Sequence, residues 1–358
     1  MSSGNGWTTR KAPEDLAILY IGTRSGTTLQ RARALAALGH TIVSIPSSYP
    51  RHWRLPAYLD APYLLYHVVD RIHPSPDFHA TNRRAVGAAS RRRFDVVWVD
   101  RTLSLAPRTL DRLRALLPAA RFVAYSGDDM ANPAHQSPRY LQSVDRYDLH
   151  VTTKSYNVPE LAQMGARDVL FVDNAFDPDT HRPIELSPRE RTRLSADVGF
   201  VGAYEQERAS AMVRLADAGL HVTVRGPDWR RCTQSHPRLR VSDTFLEDDA
   251  YPRAVCATKI NLGFLRKMNR DLQTTRSVEI PACRAFMLAE RTSEHQRMFE
   301  EGKEAEYFAS FDELLAKCRY YLAHEAERCE VAAAGYRRAH ASYTTTHLVT
   351  AILDRLFP

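Results

Sequence analysis

A short apolar strand, a small-residue loop, a helix and a second strand follow one another in DLAILYIGTRSGTTLQRARALAALGHTIVSI, residues 15–45. That order constrains the fold more than any other feature of the 358-residue chain. Residues 16–21 are an unbroken apolar run, and residues 22–27 are small and polar. From 28 to 38, Leu29, Ala32, Leu35, Ala36 and Leu38 recur at helical spacing. Gly39 suits a helix stop, and residues 41–45 read as the next strand. Such a unit opens a doubly wound parallel sheet. Its loop lacks a full GxGxxG, so Gly22, Ser25, Gly26 and Thr27 read either as a structural turn or as a loop approaching a phosphate or acceptor.

The rhythm continues with apolar strands at 94–100, 121–129, 147–153 and 166–173, and a helix at 106–118. The polar, proline-bounded NAFDPDTHRP (174–183) follows, and a domain boundary is expected at about residue 180. A second alternating series starts at DVGFVGAYEQERASAMVRLADAGLHVTVRGPDW. Its strands fall at 198–201 and 220–225, its helix at 209–218, and KINLGFL (259–265) is the next strand. The expected division is a polar tail at 1–14, an N-terminal domain at 15–180, a C-terminal domain at 181–345 and a terminal amphipathic helix at 346–358. Two α/β domains of this kind imply a cleft between the carboxyl ends of their sheets, where ligands of such folds bind.

No run of about 18 apolar residues is present, so no membrane span is expected. The start of the chain lacks the apolar core of a secretory signal. The five cysteines are odd in number and show no CxxC spacing, which argues against a disulfide framework or zinc site and points to a reducing cytoplasm. Arginine supplies nearly all of the +7 net charge, since lysine occurs only at 11, 154, 259, 267, 303 and 317. The cluster Arg83, Arg84, Arg91, Arg92 and Arg93 reads as a solvated face, or as a surface meeting an anionic acceptor or membrane.

The residues with most chemistry lie in DLQTTRSVEIPACRAFMLAE (271–290). Glu279 opens a short apolar, helix-like run reaching Leu288, directly after Thr274, Thr275 and Arg276. Backbone N–H groups at a helix start, with arginine and threonine donors, make an anion site suited to a diphosphate. A carboxylate beside it can accept hydrogen bonds from the vicinal hydroxyls of a ribose. Asp271, eight residues earlier, would then face sugar hydroxyls.

On these residues the chain resembles the GT-B glycosyltransferases of the group 1 kind, and most closely their CgeB-like branch. The likeness rests on the stretches starting at DVGFVGAYEQER and KINLGFLRKMNRDLQTTRSVEIPACRAFMLAE, and on the tail MFEEGKEAEYFASFDELLAKCRYYLAHEAERCEVAAAGYRRA. NAFDPDTHRP resembles the interdomain segment. The resemblance covers residues 120–345, with 15–120 alike in pattern only. It implies two Rossmann-like domains facing each other across a cleft, and sugar transfer from a nucleoside-diphosphate sugar to an acceptor hydroxyl without metal or cofactor. Glu279 would hold the donor ribose, and Asp271 stands where the family places the first acid of its E-x7-E. Gly202 and Arg208 match the opening of the donor domain. Arg208 and Arg276 would neutralise the diphosphate leaving group. Lys259 and Lys267 are weaker candidates. The family has glycine where Arg284 stands, so a different turn is expected there.

Asp177–Asp179 matches a metal-binding DxD, but its place in NAFDPDTHRP favours a proline turn. At the end of the 121–129 strand, Asp128 and Asp129 stand where the family often has a His-Asp pair. One is either a general base for the acceptor or part of an Asx turn. Tyr125, Asn132, His135 and Tyr140 are possible acceptor contacts or plain surface polarity. Two other readings stay open: a glycosyltransferase acting on a nucleic-acid base, and a non-catalytic coat or binding protein with a degenerate glycosyltransferase fold.

Overall fold

The computed structural model describes residues 15–47, 77, 79–246 and 248–358, so the 1–14 tail lies outside the described residues. The chain divides into two compact units. One runs to Asp173 and takes in Thr345–Pro358; the other is Asn174–Thr344. The division thus falls ahead of residue 180. The terminal helix is no separate element: it packs on the Gly26–Ala37 helix, and Arg355 grips Asp168 through Nε and Nη2, both at 2.9 Å.

Each unit is built on a six-stranded parallel sheet. In the first unit β1 (Ala17–Gly22), β2 (Thr41–Pro46), β3 (Val96–Asp100), β4 (Arg121–Ser126), β5 (Leu149–Thr152) and β6 (Val169–Phe171) lie in the order β2-β1-β3-β4-β5-β6. In the second, β7 (Ala196–Val201), β8 (Val222–Arg225), β9 (Leu239–Ser242), β10 (Thr258–Gly263), β11 (Met287–Glu290) and β12 (Glu306–Phe308) lie in the order β12-β11-β10-β7-β8-β9. The winding direction reverses between β1 and β3 in one sheet and between β7 and β10 in the other. Ligands of doubly wound sheets bind at such switch points, beyond the carboxyl ends of the strands.

The strands read as continuous apolar runs because helices cover both faces of a parallel sheet. Leu19, Ile21, Val97, Val99 and Phe122 fill one core; Val198, Phe200, Met212, Leu215, Val224 and Leu262 fill the other. Each such buried side chain contributes about 1.5–3 kcal/mol. The helix expected from residue 28 begins at Gly26, and the one expected from 209 begins at Gln206. A larger correction concerns residues 279–288. The helix is Arg276–Ala282, with Pro281 in its last turn; Cys283 caps it, and Met287–Glu290 is strand β11. Proline and the left-handed Arg284 (φ 55°) end the helix before the apolar run ends. At Arg284 the backbone is left-handed, a conformation that glycine adopts freely and arginine only with strain.

Candidate functional site

In the second unit, the switch point is spanned by one side chain. Arg208, from the first turn of the Gln206–Asp217 helix, donates from Nη1 to the Ala203 carbonyl after β7 (3.0 Å). Its Nη2 donates to the Leu265 carbonyl after β10 (2.9 Å). The guanidinium is buried against the Phe200 ring, and its Nε has no hydrogen-bond partner. Glu205 meets it with a carboxylate oxygen at 3.2 Å. Burial lowers its pKa to about 10, Glu205 opposes the shift, and the nearby charges of Arg276 and Arg266 add to it. Gly202 directly follows the strand beneath. It has no room for a Cβ, which would stand 2.5 Å from the Phe200 ring, and its carbonyl accepts from Trp229 Nε1 at 2.7 Å.

Beside it starts the Arg276–Ala282 helix, which Thr275 precedes without a side-chain capping bond. The turn before the helix is held from behind. The Thr274 N–H donates to Ser277 Oγ (3.0 Å), which lies 2.7 Å from His295 Nε2, and His295 Nδ1 lies 2.7 Å from the Glu290 carbonyl. A carbonyl only accepts, so Nδ1 carries the proton and Nε2 takes the Ser277 hydroxyl. Burial lowers the His295 pKa to about 4, so this neutral tautomer persists. Leu272 and Gln273 are anchored in turn: Thr292 Oγ1 donates to the Leu272 carbonyl (2.6 Å), and Gln273 Oε1 accepts from the Asn174 N–H (2.9 Å).

Arg276 and Glu279 lie on the helix that this turn launches. Arg276 Nε is buried without a partner, and the Glu279 carboxylate is buried. His181 Nδ1 accepts from the Asp177 N–H at 3.2 Å, which leaves the proton on Nε2, 3.5 Å from Glu279 Oε1. The Tyr251 ring meets His181 edge-on at 5.5 Å. Its hydroxyl lies against Glu279 without closing a hydrogen bond, and burial, then the Glu279 charge, push its pKa well above the tyrosine range. The arrangement is a buried carboxylate with one imidazole N–H facing it, on the helix that also carries Arg276; Arg276, like the nearby Arg208, buries an unmatched N–H.

Other candidates stand elsewhere. Asp271 accepts from Asn269 Nδ2 at 3.2 Å, within the loop ahead of the turn. Lys259 pairs with Asp197 (2.9 Å) at the amino end of the sheet, opposite the switch point, and the exposed Lys267 pairs with Glu207. Asp177 and Asp179 form a turn: Asp177 accepts from the Asp179 N–H (3.3 Å) and the Thr180 hydroxyl (2.8 Å). Among the described residues, no group of three or more His, Cys, Asp or Glu side chains is arranged to hold a metal ion.

At the switch point of the first unit, Gly22 ends β1 where a Cβ would stand 2.6 Å from Thr28 Cγ2. Ser25 and Gly26 are exposed at the start of the helix, and Thr27 is half-buried. Behind them Arg31 makes a bidentate, buried ion pair with Asp100 (2.7 and 3.0 Å), and the Tyr20 hydroxyl joins Asp100 at 2.5 Å. The Arg31 guanidinium lies 4.0 Å from the centre of the Tyr125 ring. Tyr125 is thus core, not a surface contact. The paired acids separate in role. Asp129 is fully buried and accepts from Asn157 Nδ2 at 2.8 Å, whereas Asp128 is half-buried and bonded to Arg101 Nε at 2.7 Å. Asn132 caps the turn holding His135, and Tyr140 is half-buried. Arg83, Arg84, Arg91, Arg92 and Arg93 are all exposed on and after the Thr81–Ala89 helix.

Ser277, His295, His181 and Tyr251 are not marked as site residues by the motifs of the sequence. His181 sits inside the quoted NAFDPDTHRP and was the accessible signal; Ser277, three residues from Thr274, had only its spacing to offer.

The comparisons with known proteins converge on this architecture. Residues 207–354 match a family model described as glycosyl transferase-like, which covers the Arg208 and Glu279 region and the tail of the chain. Anabaena HepE, in complex with UDP and glucose, superposes with a TM-score of 0.61 at 12% identity, over 95% of this chain and 99% of that one. An alpha-glucosyltransferase in complex with UDP-glucose and DNA containing an abasic site gives 0.69 at 11%, over 96% and 100%. The fold is GT-B. Sucrose-phosphate synthase from Thermosynechococcus elongatus has a TM-score of 0.59 at 12% identity, over 96% of this chain and 99% of its own. No curated protein sequence matches the chain. Among the described residues of this GT-B chain, no helix is long and apolar enough to cross a membrane.

Proposed function

We propose that the chain is a glycosyltransferase of the group 1 kind, in its CgeB-like branch, moving a sugar from a nucleoside-diphosphate donor to an acceptor hydroxyl. The observation that carries this reading is the switch point of the second unit. Arg208 and Arg276 bury unmatched N–H groups there, on the side of the sheet where ligands of this fold bind. A diphosphate supplies the missing acceptors and relieves the mutual repulsion of the arginines. The same two cations stabilise the charge that develops on the leaving group, so the proposed reaction needs no metal. Glu279, oriented by the His181 Nε2–H, accepts from the ribose hydroxyls. Thr275 adds a free hydroxyl at the helix start, and Asp271 faces the sugar from its loop.

For the acceptor, Asp128 is the base of choice over Asp129. It is half-open and its carboxylate meets Arg101 Nε at 2.7 Å, while Asp129 supports the loop from below. The exposed arginine cluster gives the first unit a positive surface for an anionic acceptor. The match to a protein bound to DNA makes a nucleic-acid acceptor worth one salt titration, since such binding weakens steeply as salt rises. A cytoplasmic setting belongs to the same proposal.

The test is binding and slow hydrolysis of UDP-, GDP-, ADP-, CMP- and dTDP-sugars by the native protein and by Glu279→Ala. One donor bound by the native protein and lost in the folded variant supports the reading. Equal binding by both removes Glu279 from the site, and no binding at all removes the function.

A further inference from the structure

A second cavity of about 700 Å³ lies at the opposite, amino-terminal edge of the second unit's sheet. Three of the chain's five cysteines line it: Cys256, Cys283 and Cys329. Cys256 ends the Ala250–Cys256 helix and is half-buried; Cys283 caps the Arg276–Ala282 helix and is buried. The Cys256 thiol donates to the Cys283 carbonyl oxygen at 3.6 Å, and both cysteines face the same cavity. Lys259, Arg284 and Arg328 also line it, with Asp197 and Glu325.

We propose that Cys256 and Cys283 form a thiol–disulfide site that takes a small anionic disulfide, of the glutathione disulfide class, from this cavity. The Cys256 thiolate attacks one sulfur of the ligand. The ligand's S–S bond breaks, one half leaves and takes up a proton as a thiol, and the other half stays on Cys256 as a mixed disulfide. Cys283 then gives up its proton and attacks Cys256 Sγ, expelling the second half as a thiol. The protein dithiol loses two electrons, and the ligand is reduced to two thiols.

The environment separates the two roles. Interaction with Cys283 and the Ile184 N–H outweigh burial and lower the Cys256 pKa to about 7, whereas interaction with Cys256, then burial, push the Cys283 thiol well up. The half-open sulfur is therefore the attacking one, and the buried sulfur the resolving one. Lys259 and Arg328 are engaged there by Asp197 and Glu325, so the anionic ligand is met by Arg284. The bond, once closed, ties together the ends of two helices that carry Tyr251 and Glu279. The Cys283 N–H donates to the Glu279 carbonyl at 3.2 Å, so oxidation is expected to alter nucleotide affinity. This coupling, unlike the pair itself, rests on the reading of Glu279 above.

The experiment treats the native protein with oxidised glutathione and maps its peptides without reduction. The expected product is a Cys256–Cys283 link that a dithiol reductant removes. Cys283→Ser traps glutathione on Cys256, and Cys329→Ser leaves the link intact. In the untreated protein, iodoacetamide modifies Cys256 about tenfold faster than Cys329 at neutral pH. A native protein that forms no Cys256–Cys283 link, or that takes up glutathione on Cys329 alone, overturns the proposal. A link that forms with unchanged nucleotide affinity overturns the coupling. Absence of nucleotide binding by the reduced protein counts against the function and leaves the thiol pair standing.

Discussion

Arg31 and Arg208 occupy comparable places in the two units, each on the first helix behind the switch point of a six-stranded parallel sheet. Their surroundings differ in one respect that matters. Arg31 meets Asp100 with both forks of its guanidinium. Burial opposes its charge, but the attraction of Asp100 wins and its pKa rises. Arg208 meets two backbone carbonyls and the edge of one half-exposed glutamate, and its pKa falls. The first site is electrically closed and serves the fold. The second carries positive charge out of water that Glu205 compensates only in part, as a site awaiting an anion would.

The largest effect that can break this comparison is on Arg31. Arg31→Met leaves the Asp100 charge buried with the Tyr20 and Thr28 hydroxyls but no cation, and is expected to cost about 3–5 kcal/mol in denaturant unfolding. Nucleotide binding by the molecules that remain folded should not change. An Arg31 variant of native stability would mean that the pair is not the support described. Acid should strain the second unit next. His295 is neutral in the fold down to a pH of about 4, whereas in the unfolded chain it takes up a proton near the ordinary histidine value of 6.5. Stability should therefore fall as pH drops from 6.5 towards 4, by up to about 3 kcal/mol. His295→Gln should flatten that slope; a slope unchanged in the variant would assign it to other groups.

Arg276→Met should reduce nucleotide affinity by about tenfold to a hundredfold, the worth of a charge-assisted hydrogen bond of about 1.5–3 kcal/mol, with little loss of stability. Isothermal titration and urea melts on the same variant separate the two effects. The smallest change sharpens the picture of the turn. Ser277→Ala removes the acceptor of the Thr274 N–H and the donor to His295, at about 1–3 kcal/mol of stability. It should weaken nucleotide binding less than Arg276→Met does, and a greater loss would make Ser277 a direct contact.

Periodicity made the fold legible. The runs at 16–21, 94–100 and 198–201 announce strands because both sheet faces are buried, and Gly39 stops its helix where expected. The run at 279–288 misled for the same reason: a buried helix and a buried strand are both continuously apolar, and only Pro281 and the left-handed Arg284 divide them. The ion pair of Arg31 and Asp100 joins residues 69 apart in sequence, and neither residue type shows in advance that it will be buried. The cysteine pair failed to show for a similar reason. Cys256 and Cys283 are 27 residues apart, and two neighbouring strands, not a CxxC spacing, bring them together. Arg208, Arg276 and Glu279 could be read from motif and resemblance. His181 and His295 depend on tautomers fixed by backbone groups, which residue types do not encode.

The most direct measurement is calorimetric titration of UDP, GDP and ADP into the native protein and into Arg208→Met, with the melting of both recorded. The account predicts that the native protein binds one of these nucleotides. It also predicts that Arg208→Met loses at least about tenfold in affinity while matching or exceeding native stability, since the arginine is buried without a full set of partners. A folded Arg208→Met that binds as tightly as the native protein would contradict it, as would a variant that unfolds as readily as Arg31→Met.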